Sequence, residues 1–469
     1  MQRVAGLFLR LLGVVYLCAF ASLWVQLDGL IGSQGIAPAS ALLALARERL
    51  GASAPLALPT LLWLTGPGDW ALHALCAAGV VAALALLARR ASFWAALAAW
   101  VAYLSLVSVG DVFLSFQWDM LLLESGVVAL FAASREPRLG VWLARALLWK
   151  LMFLSGAVKL LSGDPTWRDL SALSYHYWTQ PLPIPTSAWA AALPDWSQRA
   201  STFATLAIEL GAPFALLGPR RVRLVGLGLL VGLQLLIAAT GNYGFFNLLA
   251  LALCATWLGG GGPEPAAPGP HALVIARRVA AGALLAASAI VAAERLAPEG
   301  RLPEALYALV EPLAPLRSVN SYGLFAVMTT ERPEILLEGS RDGVEWKSYA
   351  FRWKPGALDR APRIAGPHMP RLDWQLWFAA LSRCERQGWL HAFLRRLLEG
   401  SPPVTRLLAS DPFDGEPPRY LRVTSARYHF ATGSDWKNGA WWTRSEPVPY
   451  CPLLTLRAGK LALADELAP

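Results

Sequence analysis

Along this chain, apolar residues collect in long unbroken runs, with few of the short alternating stretches that build a soluble core. A helix rises 1.5 Å per residue, so a hydrocarbon layer of roughly 30 Å takes about 20 apolar residues to cross. Runs approaching that length predict spans at Val4 to Leu27, Ala71 to Ala88, Ala91 to Ser108, Trp118 to Ser134, Val141 to Leu161, Ser201 to Leu217, Val222 to Thr240, Phe245 to Leu258 and Val279 to Ala293. The last two are the shortest and the weakest as spans. Val4 to Leu27 is longer than the apolar stretch of a signal peptide and no small-residue cleavage pattern follows it, so it is expected to remain as the first helix.

From about Ser318 the pattern changes: charge and proline rise, and apolar runs shorten. Glu334 to Ser340, a turn at Arg341-Asp342-Gly343, and Val344 to Trp353 read as a hairpin, with Tyr349, Phe351 and Trp353 alternating with Ser348, Ala350 and Arg352. Amphipathic helices are expected over Asp373 to Arg383 and Gly388 to Glu399, the second stopped by Gly400 and the prolines after it. Tyr420 to Thr432 alternates again and returns to the sheet. The expected architecture is a polytopic α-helical membrane bundle of about nine spans followed by an α+β domain with a β-sheet and two amphipathic helices. Its expected divisions are a transmembrane domain over 1–300, a connecting segment over 301–317 and a soluble domain over 318–469. Gly259 to Pro270 reads as a linker, because no strand precedes it and no Lys-Ser/Thr follows as a phosphate loop requires. Gly226, Gly228 and Gly232 lie inside an apolar helix, where small residues serve close helix packing.

Composition agrees with a membrane class: 55% of residues are hydrophobic and 16% charged, with a mean hydropathy of +0.43. A net charge of +9 does not signal nucleic acid, since no basic stripe is interleaved with aromatics. The arginines instead punctuate the apolar runs. Arg3 and Arg10, Arg89 and Arg90, Arg135 and Arg138, Arg220, Arg221 and Arg223, and Arg277 and Arg278 fall on alternate connections; Arg47, Arg49, Arg168 and Arg199 fall on the others. Cytoplasmic loops hold the positive charge, which puts the N-terminus in the cytoplasm and the C-terminal domain on the extracytoplasmic side. Losing one weak span would reverse that result; losing both would preserve it.

Cys18, Cys76 and Cys254 lie in apolar runs and act as small hydrophobes. Cys384 and Cys451 fit either one disulfide in an oxidising compartment or two buried thiols. The chain has no GxSxG elbow, HExxH helix, Walker loop, CxxC pair or zinc spacing, and neither metal nor cofactor is expected.

Candidate chemistry sits in two places. Asp119, Glu124, Lys150, Lys159 and Glu209 fall within apolar spans, where an ionised group must pair or line a wet cavity. Glu124 and Lys159 lie near the same face on adjacent antiparallel spans and can meet; such a pair serves either as helix glue or, with Lys159 as a cavity-lining base, as chemistry. The polar aromatic segments SFQWD (Ser115 to Asp119), GDPTWRDLSALSYHYWTQPLP (Gly163 to Pro183) and GNYGFFN (Gly241 to Asn247) share a face with the soluble domain under this topology. Single Trp and Tyr residues there are mostly interface anchors. The density of Trp118, Asp164, Trp167, Arg168, Asp169, Tyr175, His176, Tyr177, Asn242, Tyr243 and Asn247 instead points to a contact surface for a partner protein.

These same strings resemble the lipase maturation factor family: SFQWDMLLLESG at Ser115 to Gly126, SGAVKLLSGDPTWRDLSALSYHYWTQPLP at Ser155 to Pro183, GNYGFFN, NSYGLFAVMTTERPEILLEGS at Asn320 to Ser340, and PHMPRLDWQLWFAAL at Pro367 to Leu381. The resemblance implies a non-enzymatic helper of newly translocated client proteins, notably dimeric lipases, at the endoplasmic reticulum membrane. The alanine- and arginine-rich composition looks bacterial, which would make the location the cytoplasmic membrane. A fainter likeness joins Gly156 to Leu160 and Trp167 to the transmembrane region of vitamin K-dependent γ-carboxylases, and implies, as the alternative, an enzyme with Lys159 as base beside Glu124 and Asp119.

Overall fold

A computed structural model describes residues 1–259, 270–297 and 303–464. Residues 260–269 of the expected linker, and 301–302 of the expected connecting segment, lie outside the described residues. All nine apolar runs are helical: α1 (Gln2–Trp24), α2 (Asp69–Leu87), α3 (Ser92–Val109), α4 (Gln117–Ala132), α5 (Pro137–Leu161), α6 (Asp195–Gly211), α7 (Arg220–Ala238), α8 (Phe246–Cys254) and α9 (His271–Leu296). Tight 3-10 turns extend α6 to Leu217 and α8 to Leu258. Among the described residues, seven helices are long and apolar enough to cross a membrane, and α4 and α8 are shorter.

The lengths correct one expectation. The ninth run, read as weak, is a 26-residue helix, because it continues through Arg277 and Arg278, whose guanidinium groups reach Glu136. The eighth is short as expected, and the fourth is short as well, cut back by the extended backbone at Phe116 before it and by Pro137 opening the next helix. Both short helices still run from one end of the bundle to the other. Gln117, opening α4, accepts a hydrogen bond from Gly323 of the C-terminal domain at 3.3 Å, whereas Ala132 at its far end packs on Gly140. Helix α8 starts beside Asn242, which binds Arg363, and is followed at its far end by Gly259, against Val4 and Met1. The arginine-rich connections therefore gather at the end that holds the N-terminus, and the C-terminal domain caps the opposite end.

That domain is built on β1 (Pro333–Ser340), β2 (Lys347–Ser348), β3 (Tyr420–Phe430), β4 (Trp442–Arg444), β5 (Val448–Pro449), β6 (Leu454–Arg457) and β7 (Lys460–Leu463). The antiparallel order is β2-β1-β3-β6-β7, with β4 and β5 also pairing β3. The expected hairpin forms, with Glu338 opposite Ser348, but its return arm is ladder-paired for only two residues. Beyond Tyr349 the arm leaves the sheet so that the N–H groups of Trp353 and Lys354 can bind Asp373.

Strand β3 serves two cores. Leu421 and Val423 lie on one face, in the large cluster that also holds α10 (Arg371–Ala380) and α11 (Gly388–Leu398); Ala426, Tyr428 and Phe430 lie on the other face with Trp442 and Ala188. Successive side chains alternate faces, so the buried set switching from odd to even numbers turns the strand's two halves toward different partners. A disulfide joins Cys384 to Cys451, choosing between the two alternatives left open by the sequence.

Candidate functional site

The polar aromatic segments and the C-terminal domain meet in one buried seam. Ser22, late in α1, and Gln26, just beyond its end, begin it. The Ser22 hydroxyl accepts the Met369 N–H at 2.8 Å and faces His368 Nδ1 at 3.0 Å. Gln26 donates to Met369 O and accepts the Arg371 N–H, each at 2.9 Å.

At the top of α4, Asp119 receives the Arg371 guanidinium through two bonds, 2.9 and 2.7 Å, and the Tyr103 hydroxyl at 2.5 Å. Arg371 also donates to Phe113 O at 2.6 Å. Both charged side chains are fully buried. A planar guanidinium matches a carboxylate in this two-pronged way, and burying either ion alone would be costly.

The next segment, Ser318 to Met328, dips into the bundle. Tyr322 is 1% exposed and donates to Glu124 at 2.5 Å. Gly323 adopts φ +155°, and a Cβ there would lie 2.5 Å from a Val158 methyl, so only glycine passes between the helices at this point. Asp164 accepts the Met328 N–H, and Trp167 Nε1 donates to Phe325 O.

A second chain of bonds orients His176. The Gln180 amide NH2 donates to Thr240 O and Tyr177 O, so its oxygen accepts from Tyr243, at 2.9 Å. The Tyr243 oxygen is then the acceptor for His176 Nε2 at 3.1 Å, which requires the neutral tautomer protonated on Nε2. Burial and the nearby Lys159 charge push His176 down to about 4. Burial, with the Arg371 and Arg352 charges adding, does the same to His368. A Cβ on Gly241 would sit 2.1 Å from the Gln180 oxygen, which explains a glycine there. Asn242 accepts the Ala365 N–H and donates to Arg363 O. Arg332, buried with Glu334 and Lys354, donates to the carbonyls of Trp178, Gln180 and Pro181.

The intramembrane charges pair, but in a different combination from the one expected. Glu124 is held by Lys150 and Lys159 by Glu209, so Glu124 and Lys159 are not partners. The reason is packing. Gly156 lets α6 approach α5 so closely that a Cβ there would touch Glu209 and Leu210, and Lys159 turns to both Glu209 oxygens at 2.7 and 2.6 Å. Its ammonium also lies 5.2 Å from the Trp167 ring centre.

The contact surface expected from the sequence is largely internal. Trp118, Asp164, Trp167, Asn242, Tyr243 and Asn247 are buried, Tyr175, His176 and Tyr177 are partly buried, and Arg168 and Asp169 are exposed. Trp118 stacks on Phe116 and meets Trp374 edge to face, and Asn247 binds Gln234. The aromatic density builds the seam between domains. Sequence reasoning missed Arg371, Tyr322, Gln180 and Arg332; the one available signal was Arg371 and Asp373 standing among the apolar positions of PHMPRLDWQLW. Chemically, the arrangement holds and aligns: Arg371 is bonded to Asp119, Lys150 to Glu124, and Lys159 to both oxygens of Glu209.

The profile of the lipase maturation factor transmembrane domain matches residues 3–260, and that of the lipase maturation factor C-terminal domain matches residues 318–452. The chain is 34% identical to lipase maturation factor 2 of Gallus gallus, over 97% of this chain and 82% of the relative. It is 34% identical to lipase maturation factor 2 of Homo sapiens, over 96% and 82%, and 32% identical to lipase maturation factor 1 of Bos taurus, over 95% and 88%. No solved structure matches.

Proposed function

Because this integral membrane chain belongs to the lipase maturation factor family, we propose that it assists newly translocated lipases to fold and assemble. Its place is the endoplasmic reticulum membrane, or the cytoplasmic membrane of a bacterium, with the C-terminal domain on the extracytoplasmic side. The observation that carries this reading is the match across both domains, joined here into one body by the buried seam. Two further features support it. The Cys384–Cys451 disulfide suits an oxidising compartment, and the arginine-rich end lies opposite the domain.

The client would meet the rim of the seam, where Arg168, Asp169, Tyr175 and Tyr177 remain accessible beside the exposed apolar Val327 and Ile364. An incompletely folded chain offers apolar surface, and such exposed residues give it a landing site. The likeness to γ-carboxylases adds no second reading, since Lys159 is committed to Glu209.

The test is co-expression with a dimeric lipase in cells stripped of their own maturation factors. Secreted lipase activity is expected to rise over the empty vector, and to fall again when Val327 and Ile364 are both changed to Ser. No gain with any lipase tested would refute the role; a gain untouched by the double change would refute the surface.

A further inference from the structure

Where α4, α5 and α9 meet, a crevice of about 150 Å³ is lined mainly by Val128, Leu143, Leu147, Leu284 and Ala292, with Glu124, Lys150 and Ser288 on its polar side. Lys150 lies near the middle of the 25-residue α5, roughly 20 Å from its start at 1.5 Å per residue, so the crevice sits at bilayer depth. It opens sideways. Leu285 lines it and is 44% exposed, and Ala289 beside it is exposed too.

The polar groups on its wall bind one another. Lys150 donates to Glu124 and, at 3.1 Å, to Ser288, while Tyr322 donates to the other Glu124 oxygen. A water molecule needs two to four polar partners to settle, whereas an apolar cavity of about this size stays dry and takes up hydrocarbon. The surrounding medium at this depth is itself hydrocarbon. We propose that the crevice is a lipid site that seats one acyl chain of a bilayer lipid, entering between α9 and the α4–α5 pair.

The seated chain has two consequences. It excludes water from the Lys150–Glu124 pair, which strengthens that pair. It also fills the gap behind α9, a helix whose polar ties to the bundle, among the described residues, run through Ser288 and through Arg277 and Arg278 to Glu136. The occupied site thereby steadies the helix that precedes the C-terminal domain. This inference is independent of the client reading.

The full chain is reconstituted in phosphatidylcholine vesicles containing a small fraction of phosphatidylcholine with a photoreactive diazirine in mid-chain, then irradiated and digested. Peptides carrying Leu143 to Lys150 and Leu284 to Ala292 are expected to label several-fold more than the α7 peptide carrying Leu235 and Leu236, which are 54% and 65% exposed. Ala289→Trp fills the mouth from an exposed position and should bring that excess down to the α7 level. Leu285→Ala, which widens the mouth, should raise it, and it serves as the second variant if the tryptophan disturbs folding. Equal labelling of crevice and α7 would mean ordinary boundary lipid and overturn the proposal. So would labelling that both substitutions leave unchanged, or a second polypeptide crosslinked at the crevice in place of lipid.

Discussion

Changing Arg371 to Met should loosen the C-terminal domain from the bundle without unfolding either part. The substitution removes two bonds to Asp119, at 2.9 and 2.7 Å, and one to Phe113 O at 2.6 Å, and leaves the carboxylate fully buried with Tyr103 as its remaining side-chain partner. Removing one member of a buried pair costs about 3–5 kcal/mol. Replacing both members by apolar groups is far milder, so adding Asp119→Leu to Arg371→Met should recover about 2 kcal/mol despite the stranded Phe113 carbonyl. The loss falls on docking, because Asp119 belongs to α4 and Arg371 to α10. Amide hydrogen exchange in detergent micelles reads it at three seam amides: Met328 bound to Asp164, Met369 bound to Ser22, and Arg371 bound to Gln26. A loss of 3 kcal/mol speeds exchange about a hundredfold when docking governs opening. Exchange within a few-fold of wild type in the single variant would refute the latch, as would a double variant exchanging as fast as the single one.

Acidification should weaken the same seam. His176 and His368 are held near 4 in the folded protein, against an ordinary value of 6.5, so the unfolded or undocked state binds the proton more readily. Stability is expected to be flat above about pH 6.5 and to fall as pH drops from there toward 4, by about 1 kcal/mol per pH unit for each partly buried ring. A melting temperature constant from pH 7 to pH 5 would contradict this. Cys451→Ser should lower the stability of the C-terminal domain by about 2–4 kcal/mol, since the bridge closes a loop between residues 67 apart; the check is a denaturation midpoint that falls for the wild type, but not the variant, on adding reductant. Gly241→Ala, which would place a methyl 2.1 Å from the Gln180 oxygen, should cost about 1–3 kcal/mol through overpacking, measured as a lower melting temperature.

The sequence by itself determined the elements. Span positions, the change of character near Ser318, the hairpin turn, the two domain helices and the long strand are all legible because apolar length, alternation and turn residues act locally. It also marked Asp119, Glu124, Lys150, Lys159 and Glu209, since a lone ion at that depth needs a partner wherever that partner lies, but it passed over Arg145, which is buried in α5 and donates to Thr256 O and Gly259 O. Only the tertiary structure decided the partners. Arg371 is 252 residues from Asp119, and Lys159 meets Glu209 rather than Glu124 because Gly156 brings α6, not α4, against that side of α5. The aromatic strings divide in the same way. Trp167, Tyr175 and Tyr243 announce a boundary between apolar and polar surroundings, but whether lipid headgroups, a client or the chain's own domain supplies the polar side depends on where residues 318–464 dock. That docking is the sum of contacts between segments far apart in sequence, and no local pattern encodes it.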